Sequence, residues 1–257
     1  MVALWNEKYQ ESLQAYVAGF PTPKAIVVVS AHGLSAEGVV EVSASSQENP
    51  IIYDFHGFPQ ELYQVKYPSP GSPDISVRIV AMLNAAGFQS SLTTQGLDHG
   101  VWIPLRVLYP SAEIPVIQIS MPYPSQPEKV LLLGKTLSAL RDEGVLLVGS
   151  GGLVHNLEKL DWSGKNATPA PWVVEFNAWV RDRLIHKDVA GLVNSLVEAP
   201  YADLAHPTAE HFYPLFFTLG SSQSGDELDV IFEGVEYGTL SMDCFALRSP
   251  DPKGVAH

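Results

Sequence analysis

The sequence predicts an α/β fold, a three-layer sandwich in which a central, mostly parallel or mixed sheet is covered by helices on both faces. Continuous apolar runs such as Ala25–Val29 and Val145–Val148 lack polar alternation and indicate strands buried on both faces. Segments with helical periodicity, such as residues 128–141, alternate with these runs along the chain. Because strands alternate with helices, we expect helices to cover both faces of one sheet.

Helices and strands are predicted in order from residue 4. Helices are predicted at residues 4–18, 74–86, 100–109, 128–141, 173–185, 189–198 and 210–220. Strands are predicted at residues 25–32, 39–44, 90–94, 114–120, 145–148, 228–232 and 239–247, the last two as an antiparallel pair. Pro214 either lies near the start of the last helix or kinks it. The stretch from Pro50 to Pro73 is rich in proline, glycine and aromatic residues, which predicts a long loop that covers or binds a ligand.

Composition and charge narrow the class of protein. Hydrophobic residues make up 46% of the 257 residues and charged residues 17%, values typical of a compact globular enzyme. The formal net charge of −13 opposes binding to nucleic acid and to anionic membranes. The longest apolar runs fall far short of the ~20 residues that a membrane span requires. We expect one domain over residues 1–248 and a disordered tail over residues 249–257.

Cysteine content and the first residues bear on location. Cys244 is the only cysteine, so the chain forms no intrachain disulfide and no cysteine-rich zinc site. Residues 1–8 lack the basic and apolar regions of a signal peptide. These features predict a cytoplasmic protein, and the sequence leaves monomer and homodimer open.

Four of the eight histidines share a setting, because each lies beside a small residue, a glycine or the predicted boundary of an element. The four are His32, His99, His155 and His211. Open α/β sheets bind ligands at the carboxyl ends of their strands, so we expect these histidines to converge there. Imidazole nitrogens are common ligands for iron and zinc. The convergence therefore predicts a metal site.

The other four histidines are weaker candidates for a functional site. Any single histidine is more often structural or solvent-exposed than catalytic, and we expect this of His186, His206 and His257. His56 lies in the aromatic loop, where it either faces the site from a lid or bonds within the loop.

Motifs for other chemistries are incomplete. The segment 149–154 follows a strand as a dinucleotide-binding loop would, but Val154 replaces the third glycine and no acidic residue ends a strand about 20 residues later. The sequence contains no G-x-x-x-x-G-K-[ST], G-x-S-x-G or H-E-x-x-H pattern. Glu210 offers a carboxylate beside His211, but neighbours on a helix diverge by about 100°, which argues against both binding one metal.

A series of motifs nevertheless occurs in an order known from one family. These motifs include Ile26–His32, Asp54–Pro59, Leu97–Trp102, Val154–Leu157 and Pro207–His211. Together they resemble the class III extradiol ring-cleavage dioxygenases, in the branch of the DOPA 4,5-dioxygenases, over about residues 20–247. The resemblance implies an enzyme that opens a catechol, a DOPA-like aromatic diol, with O2.

The resemblance also implies a metal centre and roles for the four histidines. In that family a non-haem Fe(II), sometimes found as zinc in purified proteins, lies at the carboxyl edge of the sheet. His32 and His211 would be metal ligands. His155 would be an acid/base catalyst close enough to the metal to count as a ligand, and His99 would orient the substrate or oxygen.

Other positions carry expectations about the substrate. His56 and Tyr63, both in the aromatic loop, are candidate substrate contacts. Arg78 and Arg106 are candidates for binding a substrate carboxylate. Gly33 stands where the family usually has an aromatic residue, and we expect it to open space near the metal.

One departure from the family pattern leaves alternatives open. The pattern begins with a Ser-His-Gly-Ser-Pro type turn that supplies the first metal ligand, whereas no histidine precedes His32 here. Either the chain starts after that turn, or another group such as His56 replaces the ligand, or catalysis has been lost. Two rivals follow: a non-catalytic member of the fold that binds metal weakly, and a hydrolase that uses the same histidines with zinc-bound water.

Overall fold

A five-stranded sheet forms the centre of the molecule. The computed structural model describes residues 2–35 and 38–250 of the chain. The strands are β1 (Ala25–Ser35), β2 (Val39–Ser43), β3 (Gln89–Thr93), β4 (Val116–Pro122) and β5 (Val145–Ser150), and their order is β3-β2-β4-β1-β5. β4, β1 and β5 run parallel, while β2 and β3 run parallel to each other and antiparallel to β4. The sheet is therefore mixed.

Helices pack on both faces of this sheet. The longer helices are α1 (Glu7–Val17), α2 (Pro73–Ala85), α3 (His99–Leu108), α4 (Pro127–Leu137) and α5 (Pro171–Ile185). The shorter helices are α6 (Val189–Val193), α7 (Ser195–Glu198), α8 (Ala202–Ala205) and α9 (Pro214–Gly220). None of these helices has both the length and the apolar character needed to cross a bilayer.

The alternating side chains of β1 contribute to two separate cores. Val27 and Val29 belong to a core shared with α2, α4, α5 and α9. Ile26 and Val28 point to the opposite face, where they join a core that includes Trp102 of α3. Burial on both faces explains the uninterrupted apolar run, because a strand covered on both sides has no solvent-facing position. The predicted three-layer α/β sandwich is confirmed.

Several predicted elements differ from those observed. The helix expected at 189–198 is divided into α6 and α7, and the helix expected at 128–141 ends at Leu137 and continues as a 3₁₀ turn. The helix expected at 210–220 begins only at Pro214, the first helical position, where a proline has no N–H to leave unbonded. The strand expected at 239–247 is divided into β8 (Leu240–Ser241) and β9 (Cys244–Arg248). β8 pairs with β7 (Val235–Glu236), and β9 pairs antiparallel with β6 (Glu227–Phe232), as predicted for the closing strands. Residues 251–257 of the predicted tail lie outside the described residues, and the single domain stays a prediction.

An ion pair attaches the β6–β9 ribbon to the rest of the molecule. Arg141, in a 3₁₀ turn after α4, donates to both carboxylate oxygens of Asp226 at 2.5 and 3.0 Å. It also donates to the carbonyl oxygens of Ser221 and Leu247. The Asp226 side chain is only 5% exposed. Two-point arginine–carboxylate bonding in a buried setting fixes both position and orientation.

We expect Asp226→Ala to lower the free energy of unfolding by about 3 kcal/mol, because it leaves the Arg141 charge buried without its partner. The control is Glu143→Ala, which removes the carboxylate of an equally well-aligned but exposed pair with Arg78. In urea unfolding, the urea concentration at the midpoint should fall clearly for the first variant and stay unchanged for the second. Equal losses would mean that burial does not decide the strength of these pairs.

Candidate functional site

The structure brings the four predicted histidines together at the carboxyl edge of the sheet. The ring centroids of His32 and His99 are 3.9 Å apart, and those of His32 and His211 are 4.8 Å apart. The rings of His155 and His211 stack with centroids 3.3 Å apart. Four segments distant in sequence thus supply one cluster of imidazoles.

Each histidine is delivered by a different part of the fold. His32 lies where the ladder between β1 and β4 shifts register, between Val29 and Leu34, an irregularity that re-aims side chains. His99 is the first residue of α3. His211 precedes α9, and its carbonyl oxygen accepts the N–H of Gly152 at 2.8 Å. The glycine-rich segment that resembled a dinucleotide loop therefore packs against His211.

The Nε2 atoms of His32 and His211 face each other at 3.3 Å. Two imidazole nitrogens, each about 2.1 Å from one tetrahedral ion, would stand about 3.4 Å apart. The observed separation therefore matches that of two ligands on one metal ion.

Carboxylates lie on the opposite side of these rings. Glu210 Oε1 lies 2.9 Å from Nδ1 of His211. Asp54 Oδ2 lies 2.9 Å from Nδ1 of His99 and 3.9 Å from Nδ1 of His32. A carboxylate behind a metal-binding imidazole fixes its tautomer and orientation.

These contacts form two groups whose ligand atoms lie within 4.8 Å of one another and could hold a metal ion. The groups are His32, Asp54 and His99, and His155, Glu210 and His211.

Asp54 was not predicted from the sequence, and the expectation that Glu210 and His211 would not serve one metal site was wrong. The case against Glu210 assumed that it and His211 lie on a helix, but the helix begins at Pro214 and both residues lie in the preceding turn. Asp54 precedes its partner His99 by 45 positions, and the backbone N–H of His99 donates to Asp54 Oδ1 at 2.9 Å. The only signal for Asp54 was its place at the start of the motif Asp54–Pro59.

Partial burial favours the neutral form of three of the imidazoles. It lowers the pKa of His32 to about 4, with a further contribution from the neighbouring His99. It also lowers the pKa values of His155 and His211. For Asp54 burial works the other way, but the bonds with His99 outweigh it, so the pKa of this carboxyl lies below its ordinary value. At neutral pH, neutral imidazoles at His32, His155 and His211, each with a lone pair available for a metal, thus lie beside ionised carboxylates.

Aromatic side chains of the 50–73 loop flank the cluster on the His99 side. Phe55 contacts His99 edge to face with centroids 5.6 Å apart. Tyr63 packs on Phe55 at 5.0 Å, and its hydroxyl donates to the Phe55 carbonyl oxygen at 3.4 Å. Tyr63 is therefore separated from His99 by one aromatic ring. His56 is exposed, and within residues 2–35 and 38–250 the structure shows it in neither metal-binding group.

The two candidate arginines lie away from the histidines. Arg78 is engaged by Glu143 in an exposed pair. Arg106 donates to the Lys66 carbonyl oxygen and lines a groove of about 540 Å³ with Trp5, at the opposite end of α3 from His99. Neither arginine is therefore placed to bind a substrate carboxylate at the cluster.

Gly33 lines only a small cavity of about 20 Å³, on the side of Gln118 and Ser120. A Cβ atom at this position would lie 2.7 Å from Nε2 of Gln118 and 3.2 Å from Oδ2 of Asp98. The space that an aromatic residue was expected to fill is occupied by these two buried polar side chains.

The chain is similar to known proteins over most of its length. Residues 4–241 match the family model described as the catalytic LigB subunit of aromatic ring-opening dioxygenase. The chain belongs to the LigB family. It is 38% identical over 246 residues to the 4,5-DOPA dioxygenase extradiol of Escherichia coli K12, covering 94% of this chain and 89% of that protein. The same identity holds over 252 residues for the Beta vulgaris enzyme of that name, covering 95% and 90%.

A solved structure also resembles the chain over most of its length. The crystal structure of an uncharacterized protein from Escherichia coli K12 is 37% identical, with a TM-score of 0.77, and covers 92% of this chain and 91% of that one. The resemblance to the extradiol dioxygenases is therefore confirmed, and with it the enzyme class.

His206 of this LigB-family chain serves the fold rather than the cluster. Its Nε2–H donates to the Leu153 carbonyl oxygen at 2.6 Å, and its ring packs against Phe176 and Phe212. Burial lowers its pKa to about 4. His186 is exposed, and His257 lies outside the described residues.

We expect His206 to make the protein less stable in acid. Between pH 6.5 and 4 the unfolded chain binds a proton at this residue and the folded chain does not, so the stability that neutral His206 provides is lost as pH falls. In His206→Gln the side-chain amide keeps the donor but cannot titrate. Urea unfolding should show that the stability advantage of the wild type over this variant shrinks by about 2 to 3 kcal/mol from pH 7 to pH 4.5. A constant difference would contradict the prediction.

Proposed function

We propose that this enzyme opens the ring of a catechol with O2 beside the diol, using a divalent ion bound by His32 and His211. The observation that carries the proposal is the 3.3 Å separation of their Nε2 atoms, with Glu210 behind one ring and Asp54 near the other. DOPA-like diols are the substrate class that the names of the relatives suggest.

The donor set fits Fe(II), with zinc as an alternative in purified protein. Neutral imidazoles with carboxylate support suit borderline metals such as iron and zinc. When bound, the ion supplies a centre at which a catechol and O2 are held side by side and exchange electrons. His155, stacked on His211, is close enough to serve as a third ligand or to act on a bound substrate.

His155 is proposed as the group that removes a catechol proton. Burial lowers its pKa, so it is neutral and can accept a proton at neutral pH. Its backbone N–H donates to the Ala205 carbonyl oxygen at 3.0 Å, which fixes the backbone from which it projects.

His99 is proposed to orient the diol or oxygen. Asp54 Oδ2 lies 2.9 Å from its Nδ1, so we propose that its Nε2 is the atom that faces the substrate. Phe55 and Tyr63 lie on this side of the cluster, where an aromatic ring would be bound, and His56 is proposed to contact substrate from the exposed part of the loop.

The direct test is anaerobic reconstitution with Fe(II), followed by DOPA or an unsubstituted catechol and then air. We expect a yellow ring-opened product whose formation requires both metal and O2. Metal uptake without product from any catechol would contradict the proposed reaction and favour a non-catalytic member of the fold. Hydrolysis of an ester by the zinc form, without ring opening, would favour the hydrolase alternative.

We expect His155→Ala to lower kcat by at least about 100-fold, because it removes the proposed proton acceptor. The far-ultraviolet circular dichroism spectrum should not change. The matched control is His186→Ala at an exposed histidine, for which full activity is expected. Unchanged turnover in His155→Ala would remove this residue from the mechanism, and loss of fold would make it structural.

We expect His32→Ala and His211→Ala each to weaken metal binding by at least about 10-fold, measured by competition with a chelating dye. His99→Ala should keep metal affinity close to that of the wild type while losing activity. Weak binding by the wild-type chain itself would favour the non-catalytic alternative. The cytoplasmic location and the choice between monomer and homodimer stay predictions from the sequence.

A further inference from the structure

A buried carboxylate lies directly beside the His32–His99 pair. Asp98 is only 4% exposed and precedes His99 at the start of α3. Its Oδ1 accepts from the Ser30 hydroxyl at 2.7 Å and from the Val101 N–H at 3.2 Å. Its Oδ2 accepts from Nε2 of Gln118 at 2.6 Å. Burying such a group is costly unless it is fully hydrogen-bonded, and both oxygens are.

Gln118 bonds Asp98 at two points. While Nε2 donates to the carboxylate, Oε1 accepts the Asp98 backbone N–H at 3.0 Å. Only this orientation of the amide places a donor against an acceptor at both points. Gln118 belongs to β4, Ser30 to β1 and Asp98 caps α3, so one buried network joins two strands and a helix.

This network fixes the two backbones that carry His32 and His99. The His32 N–H donates to the same Ser30 hydroxyl at 3.2 Å, and His99 follows Asp98 directly. The packing is tight here, because a Cβ atom on Gly100 would clash with the Ser30 hydroxyl and lie 3.1 Å from Cδ2 of His32. A shift of Asp98 would therefore change the spacing of the two imidazoles.

We propose that Asp98, paired with Gln118 and Ser30, is a positioning residue that sets the distance and orientation between His32 and His99. This inference rests on the proposed function, in which His32 is a metal ligand and His99 orients the substrate, so that their spacing matters for the reaction. Asp98 touches neither metal nor substrate and acts through the histidines.

The alternative is a purely structural role, in which Asp98 only caps helix α3. A cap needs a side-chain oxygen for the N–H of Val101, and asparagine supplies one as well as aspartate. The pairing with Gln118 demands more, since it needs a second acceptor at the Oδ2 position. Asp98→Asn therefore separates the two roles.

In Asp98→Asn, with the side-chain oxygen kept on the Val101 N–H, the new NH2 group faces the NH2 group of Gln118, so two donors oppose each other. Turning the Gln118 amide over relieves this conflict but places its NH2 group against the backbone N–H of position 98, which is also a donor. Gln118→Glu places two carboxylates together. In the double variant, however, the amide at position 98 donates to one carboxylate oxygen at position 118. The other oxygen accepts the backbone N–H of position 98, so both bonds are restored.

The experiment measures two quantities in the single and double variants. The first is kcat and KM for catechol cleavage by the Fe(II) enzyme. The second is the ¹⁵N chemical shifts of the His32 and His99 imidazoles in the metal-free protein. We expect each single variant to lower kcat by about 10- to 100-fold with KM changed less than about threefold, and to move both sets of shifts. The double variant should restore kcat to within about threefold and return the shifts.

Two further variants keep the proposal falsifiable. Asp188→Asn alters the corresponding cap of α6, where Oδ1 accepts the Gly191 N–H at 2.9 Å, and should change neither quantity. Ser30→Ala deletes one hydroxyl and should move the His32 shifts even if a Gln118 variant does not fold. The proposal is overturned if Asp98→Asn behaves like Asp188→Asn, if the double variant is no better than the singles, or if Ser30→Ala leaves His32 unchanged. If the wild type cleaves no catechol, the proposed function fails, while the imidazole shifts still decide for or against positioning.

Discussion

The burial of β1 on both faces, between β4 and β5, is the constraint on which the rest of the molecule depends. Its alternating side chains fill two cores at once, and its backbone is hydrogen-bonded to a parallel neighbour on each side. The carboxyl end of the strand is therefore fixed in space before any polar residue is considered. Because β5 runs parallel to β1, the segments that leave the two strands emerge at the same edge, which brings His155 toward His32.

At that edge the structure changes from apolar packing to paired polar groups. Partial burial lowers the pKa values of His32 and His211, and the carboxylates of Asp54 and Glu210 oppose this effect in part. The net result is neutral rings with fixed orientation, which is the state that a metal ligand requires. The carboxylates of Asp54 and Glu210 are held in the ionised state by the same contacts. Neither effect alone would give a cluster that is both neutral and ordered.

Next to His32 and His99, the buried contacts are hydrogen bonds among Asp98, Ser30 and Gln118 rather than apolar packing. Close approach there leaves room for nothing larger than glycine at positions 33 and 100 without displacing a hydrogen-bonded side chain. The glycines beside His32 and His99 thus reflect the buried network rather than space reserved for a substrate. A site built in this way gains geometric accuracy, because the network fixes the backbones that carry His32 and His99.

The sequence by itself determined the α/β class, the two-sided burial of the central strands, the setting of the four histidines and the family. Each of these depends on local periodicity, on element boundaries or on motifs that a single segment contains. Only the tertiary structure decided which distant groups meet: Asp54 with His99, Glu210 with His211, and Gln118 with Asp98. It also moved Arg78 and Arg106 away from the cluster and filled the space beside Gly33. The physical reason is that such pairs depend on the path of loops and on where a helix begins, and the side-chain pattern of one segment does not encode either.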